Sequence, residues 1–234
     1  MHLARKGIEF ELINLDICAP RPDWYLALNP EGQVPTLTVG DQVVSDSNIV
    51  SRFIEEHLPG PDLYFGDEQV QSHMDNLMEF VDKAFIPRLY HLMAATTQEE
   101  RDNRIAKAGE TFEWLDTWLE QAYEMGYPDH DIGIAEIVVA PFLLRYEVVS
   151  YYQDFDVSSF SSLSQFNAWR ARLLAHPIVT ETAESLEDLI KMYEDYTIGY
   201  YNGAVPPGKE RSSSDDTIPF ASRPLPPRAT SVRE

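Results

Sequence analysis

Two short stretches of this chain combine residue types that could hold a small charged ligand. Gln33-Val34-Pro35 follows the turn-forming run Asn29-Pro30-Glu31-Gly32, and Asp46-Ser47 stands where a helix opens. The first N–H groups of a helix have no intrahelical acceptor, and the helix dipole adds partial positive charge there, so the peptide groups near Ser47 suit a carboxylate. Asp46 could hold an ammonium by a charge-assisted hydrogen bond. Each residue also has a plainer role, Pro35 as a loop proline and Ser47 as a helix cap. Tyr193, Tyr196, Tyr200 and Tyr201 form a second group. Tyr196 and Tyr200 lie one helical turn apart and can project together. This group either packs a helix face ahead of a polar tail or lines a pocket for an aromatic substrate. His73, His91, His130 and His176 show no metal-ligand spacing, and no metal is expected.

The elements that must position these residues can be read from periodicity. His2 to Lys6 reads as the last turn of a helix, with Gly7 as its left-handed terminus. Ile8-Glu9-Phe10-Glu11-Leu12-Ile13 alternates and reads as a strand. Pro20 and Pro22 break the chain, and Asp23 caps a short helix reaching Leu28. Thr36 to Val39 and Gln42 to Val44 flank Gly40-Asp41 as a hairpin. A helix then runs from Ser47 to about His57, with Ile49, Val50, Phe53 and Ile54 on one face. Beyond Pro59-Gly60-Pro61 the pattern turns wholly helical. Val70, Met74, Leu77, Met78, Val81 and Phe85 make one stripe, and Phe112, Leu115, Leu119 and Ala122 another. Ile134 to Leu144 is apolar almost all round, as a central buried helix should be. Phe166 to Leu174 and Leu186 to Tyr196 supply two more helices. The expected division is an α/β domain over 1–60, a linker over 61–67, an all-helical domain over 68–198 and an irregular tail over 199–234. A strand preceded by a helix normally pairs in parallel with a strand before that helix. The first strand of the α/β domain is therefore expected upstream of Met1.

The bulk numbers narrow the class. The 234 residues are 44% hydrophobic, enough for one large core or two smaller ones. Apolar runs are too short to span a bilayer, and the N-terminal residues show no signal-peptide core. A single cysteine, Cys18, fits a reducing compartment, so a cytoplasmic protein is expected. Acidic residues outnumber basic ones 39 to 18, giving a net charge of −21. Such a chain repels phosphate backbones, which argues against nucleic acid as a partner.

Asn29-Pro30-Glu31-Gly32-Gln33-Val34-Pro35-Thr36-Leu37, followed by Ser45-Asp46-Ser47-Asn48-Ile49-Val50, resembles the glutathione-binding half of the glutathione transferases. Gly133-Ile134-Ala135-Glu136 is similar to that family's helix-capping box, with Gly133 where most members have Ser or Thr. The resemblance implies a thioredoxin-like α/β domain, incomplete here for want of its first strand, joined to an all-α bundle. It implies a cis bond before Pro35 that turns the Val34 peptide groups outward to pair with the cysteinyl part of glutathione. Gln33, Val34, Pro35, Asp46 and Ser47 are the implied glutathione residues, with Ser47 at the γ-glutamyl carboxylate and Asp46 at its ammonium. His91, Tyr193, Tyr196 and Tyr200 are the implied walls of the second-substrate pocket. Pro20-Arg21-Pro22-Asp23-Trp24, Tyr151-Tyr152-Gln153-Asp154-Phe155, Asp195-Tyr196-Thr197 with Asn202-Gly203, and Arg223-Pro224-Leu225-Pro226-Pro227-Arg228 look like the omega-like, cysteine-type glutathione lyases of lignin aryl-ether breakdown. Those relatives carry a Cys-Pro nucleophile at the end of the first strand, upstream of Met1 here, so no residue of this chain is expected to be catalytic. Cys18 reads as a buried or loop thiol. The alternative is a non-catalytic scaffold or dimerisation protein on the same fold. The family resemblance implies a homodimer, with Phe65, Met74 and Met78 at the contact, and a small aromatic electrophile or thioether as second substrate.

Overall fold

In the computed structural model, residues 1–15, 20–127, 132–197 and 218–226 are described. The chain opens with one helical turn, α1 (His2–Arg5), closed by Gly7 at φ 71°. A short helix, α2 (Asp23–Leu28), leads through the 29–35 turn into strand β1 (Thr36–Val39). β1 turns at Gly40-Asp41 and pairs antiparallel with β2 (Gln42–Ser45), Thr36 lying opposite Ser45 and Val39 opposite Gln42. Helix α3 (Ser47–His57) follows and covers the hairpin with Val50 and Ile54. The expected strand at Ile8–Ile13 does not form. The segment lies outside any ladder, with Phe10, Leu12 and Ile13 exposed by 48, 68 and 58%. Its alternation suits a strand, but a strand exists only where a neighbour takes its N–H and C=O groups, and among the described residues none lies alongside.

The helical part is a bundle around α7 (Ile134–Gln153), which packs against α3, α4 (Glu68–Phe80), α5 (Ile86–Met93), α8 (Ser164–Leu174) and α10 (Leu186–Thr197). α6 (Gln98–Glu124) closes the bundle against α5 and α8, and the short α9 (Pro177–Thr182) reaches back to α1. Both sequence stripes are inside: Met74, Leu77, Phe85, Phe112, Leu115, Leu119 and Ala122 are fully buried. That placement corrects the expected dimer contact, because Met74 and Met78 fill the chain's own core and Phe65 packs on Tyr127. α4 reaches α5 through a widened π-helical turn, Val81–Phe85, in which Ile86 N–H bonds Val81 O. Pro87 accounts for it. A proline there has no N–H to offer Lys83 O, and its ring crowds that carbonyl, so the helix relaxes into a wider turn.

Two buried carboxylates join the parts. Glu136, at the start of α7, accepts from Tyr127 Oη (2.6 Å), Gly133 N (3.1 Å) and Trp169 Nε1 (3.4 Å). Burial raises its pKa above the usual carboxylate value, and those donors hold it back only in part. Glycine at 133 is required by contact: a Cβ there would sit 2.7 Å from Phe65 Cε1 and 3.1 Å from Leu63 O. Glu55, on α3, takes His2 Nε2 (3.1 Å), Lys6 Nζ (3.1 Å) and Leu63 N (2.7 Å). Leu63 O then accepts Ile134 N at 2.8 Å, so one linker peptide ties α3 to the start of α7.

The Glu55 group sets a pH dependence. Burial lowers the His2 pKa from its ordinary 6.5, and the Glu55 contact does not restore it. Burial alone would raise Glu55, but the Leu63 N–H, Lys6 and His2 outweigh it and hold the carboxyl below 4.5. In both cases the folded chain binds fewer protons than the unfolded one, so stability falls on acidification, first below about 6.5 through His2, then below about 4.5 through Glu55. The thermal midpoint should drop between pH 7 and pH 5, and His2→Gln should flatten that slope. At pH 7, Glu55→Ala strands the buried Lys6 ammonium and should cost on the order of 3 kcal/mol in urea denaturation.

Candidate functional site

The 29–36 turn is pinned from below by two buried polar side chains. Tyr25, on α2, donates its hydroxyl to Gln33 O and lies 2.9 Å from Thr36 Oγ1. Asn29 Nδ2 donates to Gln33 O (2.8 Å) and Thr36 Oγ1 (3.1 Å), and Asn29 Oδ1 accepts Glu31 N (3.2 Å). Arg21 Nε adds a bond to Gly32 O at 2.9 Å. Buried polar groups need such partners, and here meeting the need fixes the backbone on either side of Val34. The Val34–Pro35 bond is cis, and Val34 is 45% exposed. Among the described residues, neither its N–H nor its C=O meets a protein partner.

The ladder brings the second stretch alongside. Thr36 faces Ser45, so the next residues outward, Pro35 with Asp46 and Val34 with Ser47, leave the same end of the hairpin. Asp46 has φ 76°, a region that Asp tolerates better than most residues. It, rather than Ser47, caps α3: its Oδ1 accepts Asn48 N (2.9 Å) and Ile49 N (3.2 Å). Ser47 is the first helical residue, exposed, with its N–H and hydroxyl unbonded among the described residues. Gln33, Val34, Pro35, Asp46 and Ser47 thus share one exposed rim. It offers two outward peptide groups, a helix N-terminus and a carboxylate.

The other predicted group divides. Tyr193 is buried on α10, its hydroxyl 3.2 Å from that of Tyr90 and accepting from Arg145. Tyr196 stacks beside both tyrosines, with ring centroids 5.4 Å apart in each case. α5 turns Tyr90, not His91, toward α10. His91 is exposed and contributes its backbone carbonyl, which accepts from Arg104 Nη1 at 2.6 Å. Tyr200, Tyr201, Cys18 and His130 lie outside the described residues. Among the described residues no group of three or more His, Cys, Asp or Glu could hold a metal ion, and no helix is long and apolar enough to cross a membrane. Sequence reasoning missed Tyr25, Asn29, Tyr90 and Arg145. Asn29 opens a recognised turn and could have been read as an Asx turn. The other three give no local signal, because their partners are remote in the chain.

Residues 1–57 match the family model described as "Glutathione S-transferase, N-terminal domain". A "Probable glutathione transferase" of Aplysia californica is 34% identical over 71 residues, 30% of this chain and 76% of that protein. The "Stringent starvation protein A homolog" of Coxiella burnetii is 27% identical over 61% of this chain, which spans 66% of that protein's length, just under two thirds. Among solved structures, the glutathione transferase Omega 3C of Trametes versicolor superposes with a TM-score of 0.71 at 20% identity, covering 83% of this chain and 82% of that one.

The Asp46 cap can be tested without any ligand. Asp46→Ala removes the acceptor for two helix N–H groups and places a less tolerant residue at φ 76°, so it should destabilise the chain by about 1–2 kcal/mol in urea. Asp46→Asn keeps both features and should stay within about 0.5 kcal/mol of the parent.

Proposed function

The chain belongs to the glutathione transferase family, and on that footing we propose that it binds glutathione on the rim formed by Gln33, Val34, Pro35, Asp46 and Ser47. The observation that carries this reading is the unbonded Val34 peptide leaving the hairpin beside the open N-terminus of α3. The cysteinyl backbone of glutathione pairs with Val34 as a neighbouring strand would. Its γ-glutamyl carboxylate takes the Ser47 N–H and hydroxyl, where the helix dipole opposes the chain's overall negative charge. The ammonium of the same residue sits on Asp46, whose Oδ1 alone is used by the cap.

The activity we propose is transfer or removal of glutathione on an aromatic thioether by a cysteine nucleophile. A thiolate attacks the glutathione sulfur, the sulfur–carbon bond breaks, and the departing carbon keeps the electron pair and takes a proton. The resulting enzyme–glutathione disulfide is reduced by a second glutathione, which leaves as glutathione disulfide. No described residue on the rim is a thiol, and we assign the nucleophile to a Cys-Pro strand encoded upstream of Met1. The apolar side chains left bare on this half, Leu12, Ile13, Trp24, Val43 and Ile49 among them, support a further element packed there. The proposed organisation is a glutathione domain over 1–60, a linker over 61–67, a helical domain over 68–198 with the second-substrate pocket, and a tail over 199–234, acting as a cytoplasmic homodimer. The lack of a described thiol also favours a second reading, a non-catalytic scaffold on this fold.

Binding separates the rim from a mere turn. By isothermal titration, Ser47→Ala and Asp46→Asn should each weaken glutathione roughly tenfold, since each removes a hydrogen bond to a charged group. An unchanged constant for Ser47→Ala would return Ser47 to a purely helical role. Activity separates the two readings: the reading frame extended to the upstream Cys-Pro should cleave a glutathione aryl thioether, and a Cys→Ser change there should abolish it. An extended chain that binds glutathione but is inert would favour the scaffold.

A further inference from the structure

Three helices meet around one guanidinium. Arg145, on α7, donates Nε to the Tyr193 hydroxyl of α10 and Nη1 to Pro141 O one turn back (2.5 Å). The rings of Phe142 and Tyr193 flank it, with centroids 5.2 and 5.3 Å from Cζ. Tyr90, on α5, brings a second hydroxyl to the same place, and Tyr196 adds a further ring.

What this cluster lacks is an acid. Acidic residues outnumber basic ones 39 to 18, and Arg52, Arg88, Arg104 and Arg170 each meet a carboxylate. Among the described residues none lies within ion-pair distance of Arg145, whose hydrogen-bond partners are a phenol and a carbonyl. Those partners stay neutral, burial holding the Tyr90 hydroxyl well above its ordinary range. Placing a guanidinium largely out of water with no counter-charge is unfavourable, and the imbalance is relieved by an anion from outside. Arg145, Tyr90 and Tyr196 are each only partly covered, so the cluster is reachable.

We propose that Arg145, with the Tyr90 and Tyr193 hydroxyls, forms an anion-recognition site that takes the carboxylate of an aromatic acid. The inference rests on the reading of Tyr193 and Tyr196 as part of the second-substrate pocket, and it names the substrate class for that pocket. A carboxylate fits because Nε and one Nη1 proton are spoken for, leaving the outer edge of the planar fork to a planar two-oxygen acceptor. An aromatic body fits because Tyr90, Tyr196 and Phe142 present ring faces and edges around that edge. The site also discriminates. A neutral amide of the same shape leaves the guanidinium uncompensated and gains little.

Cinnamate and cinnamamide serve as probes on the 234-residue chain, read by isothermal titration. Cinnamate should bind roughly tenfold or more tighter than cinnamamide, and Arg145→Met should erase that preference while leaving glutathione binding unchanged. Tyr90→Phe, which removes one hydroxyl and no volume, should weaken cinnamate about threefold and serves if Arg145→Met does not fold. Equal binding of the two probes, binding of neither, or an Arg145→Met chain that loses thermal stability yet keeps its cinnamate preference would overturn the proposal. Loss of glutathione binding in a chain that still prefers cinnamate would sink the glutathione reading alone.

Discussion

The peptide group of Leu63 is the joint on which the arrangement of the two halves depends. Its N–H enters the Glu55 carboxylate at 2.7 Å, and its C=O receives the Ile134 N–H at 2.8 Å. A helix start normally leaves its first N–H groups to water or a side chain. At α7 the N-cap is a glycine with no side chain to give, and the linker backbone supplies the missing acceptor. The glycine is there because Phe65 fills the space that a Cβ would need. Cap, linker and aromatic packing therefore satisfy one another, and none can change alone.

The two helix starts that matter most are solved in opposite ways. α7 is closed by buried groups, Glu136 reaching back to Gly133 N while Tyr127 and Trp169 occupy its remaining acceptor capacity. α3 is closed from the solvent side by an exposed Asp46 that leaves the Ser47 N–H outward. The first cap is fully committed to structure; the second retains unspent hydrogen-bonding capacity beside an unbonded Val34 peptide. That difference, more than any single residue type, distinguishes a joint from a binding rim.

Legibility in the sequence followed the range of the interactions. The stripes from Val70 to Phe85 and from Phe112 to Ala122 were readable because helical burial repeats every three or four residues. The hairpin at Gly40-Asp41 and the opening of α3 near Ser47 were readable from local turn and cap chemistry. The choice of Asp46 over Ser47 as cap was not, since both are good caps and the backbone at φ 76° decides between them. Ile8–Ile13 carries a strand's alternation with no strand beside it, because pairing is a property of two segments and alternation of one. Met74 and Met78 read equally well as surface or core until α7 is laid against them. Arg145 was invisible for the same reason: its environment is assembled from α5, α7 and α10, and no spacing along the chain announces it.

The widened turn at Val81–Phe85 has a consequence for how this chain tolerates changes in length. Each residue added to or taken from a helix rotates everything beyond it by about 100° and shifts it by about 1.5 Å. With Pro87 in place, the stretch from α4 to α5 holds its two ends in phase only because the turn accommodates a surplus residue. Loss of one codon there would restore ordinary helical spacing and, in the same stroke, swing Leu89, Leu92 and Tyr90 off their partners. A regular helix would be the defective allele, and the irregular one is what the reading frame has to preserve.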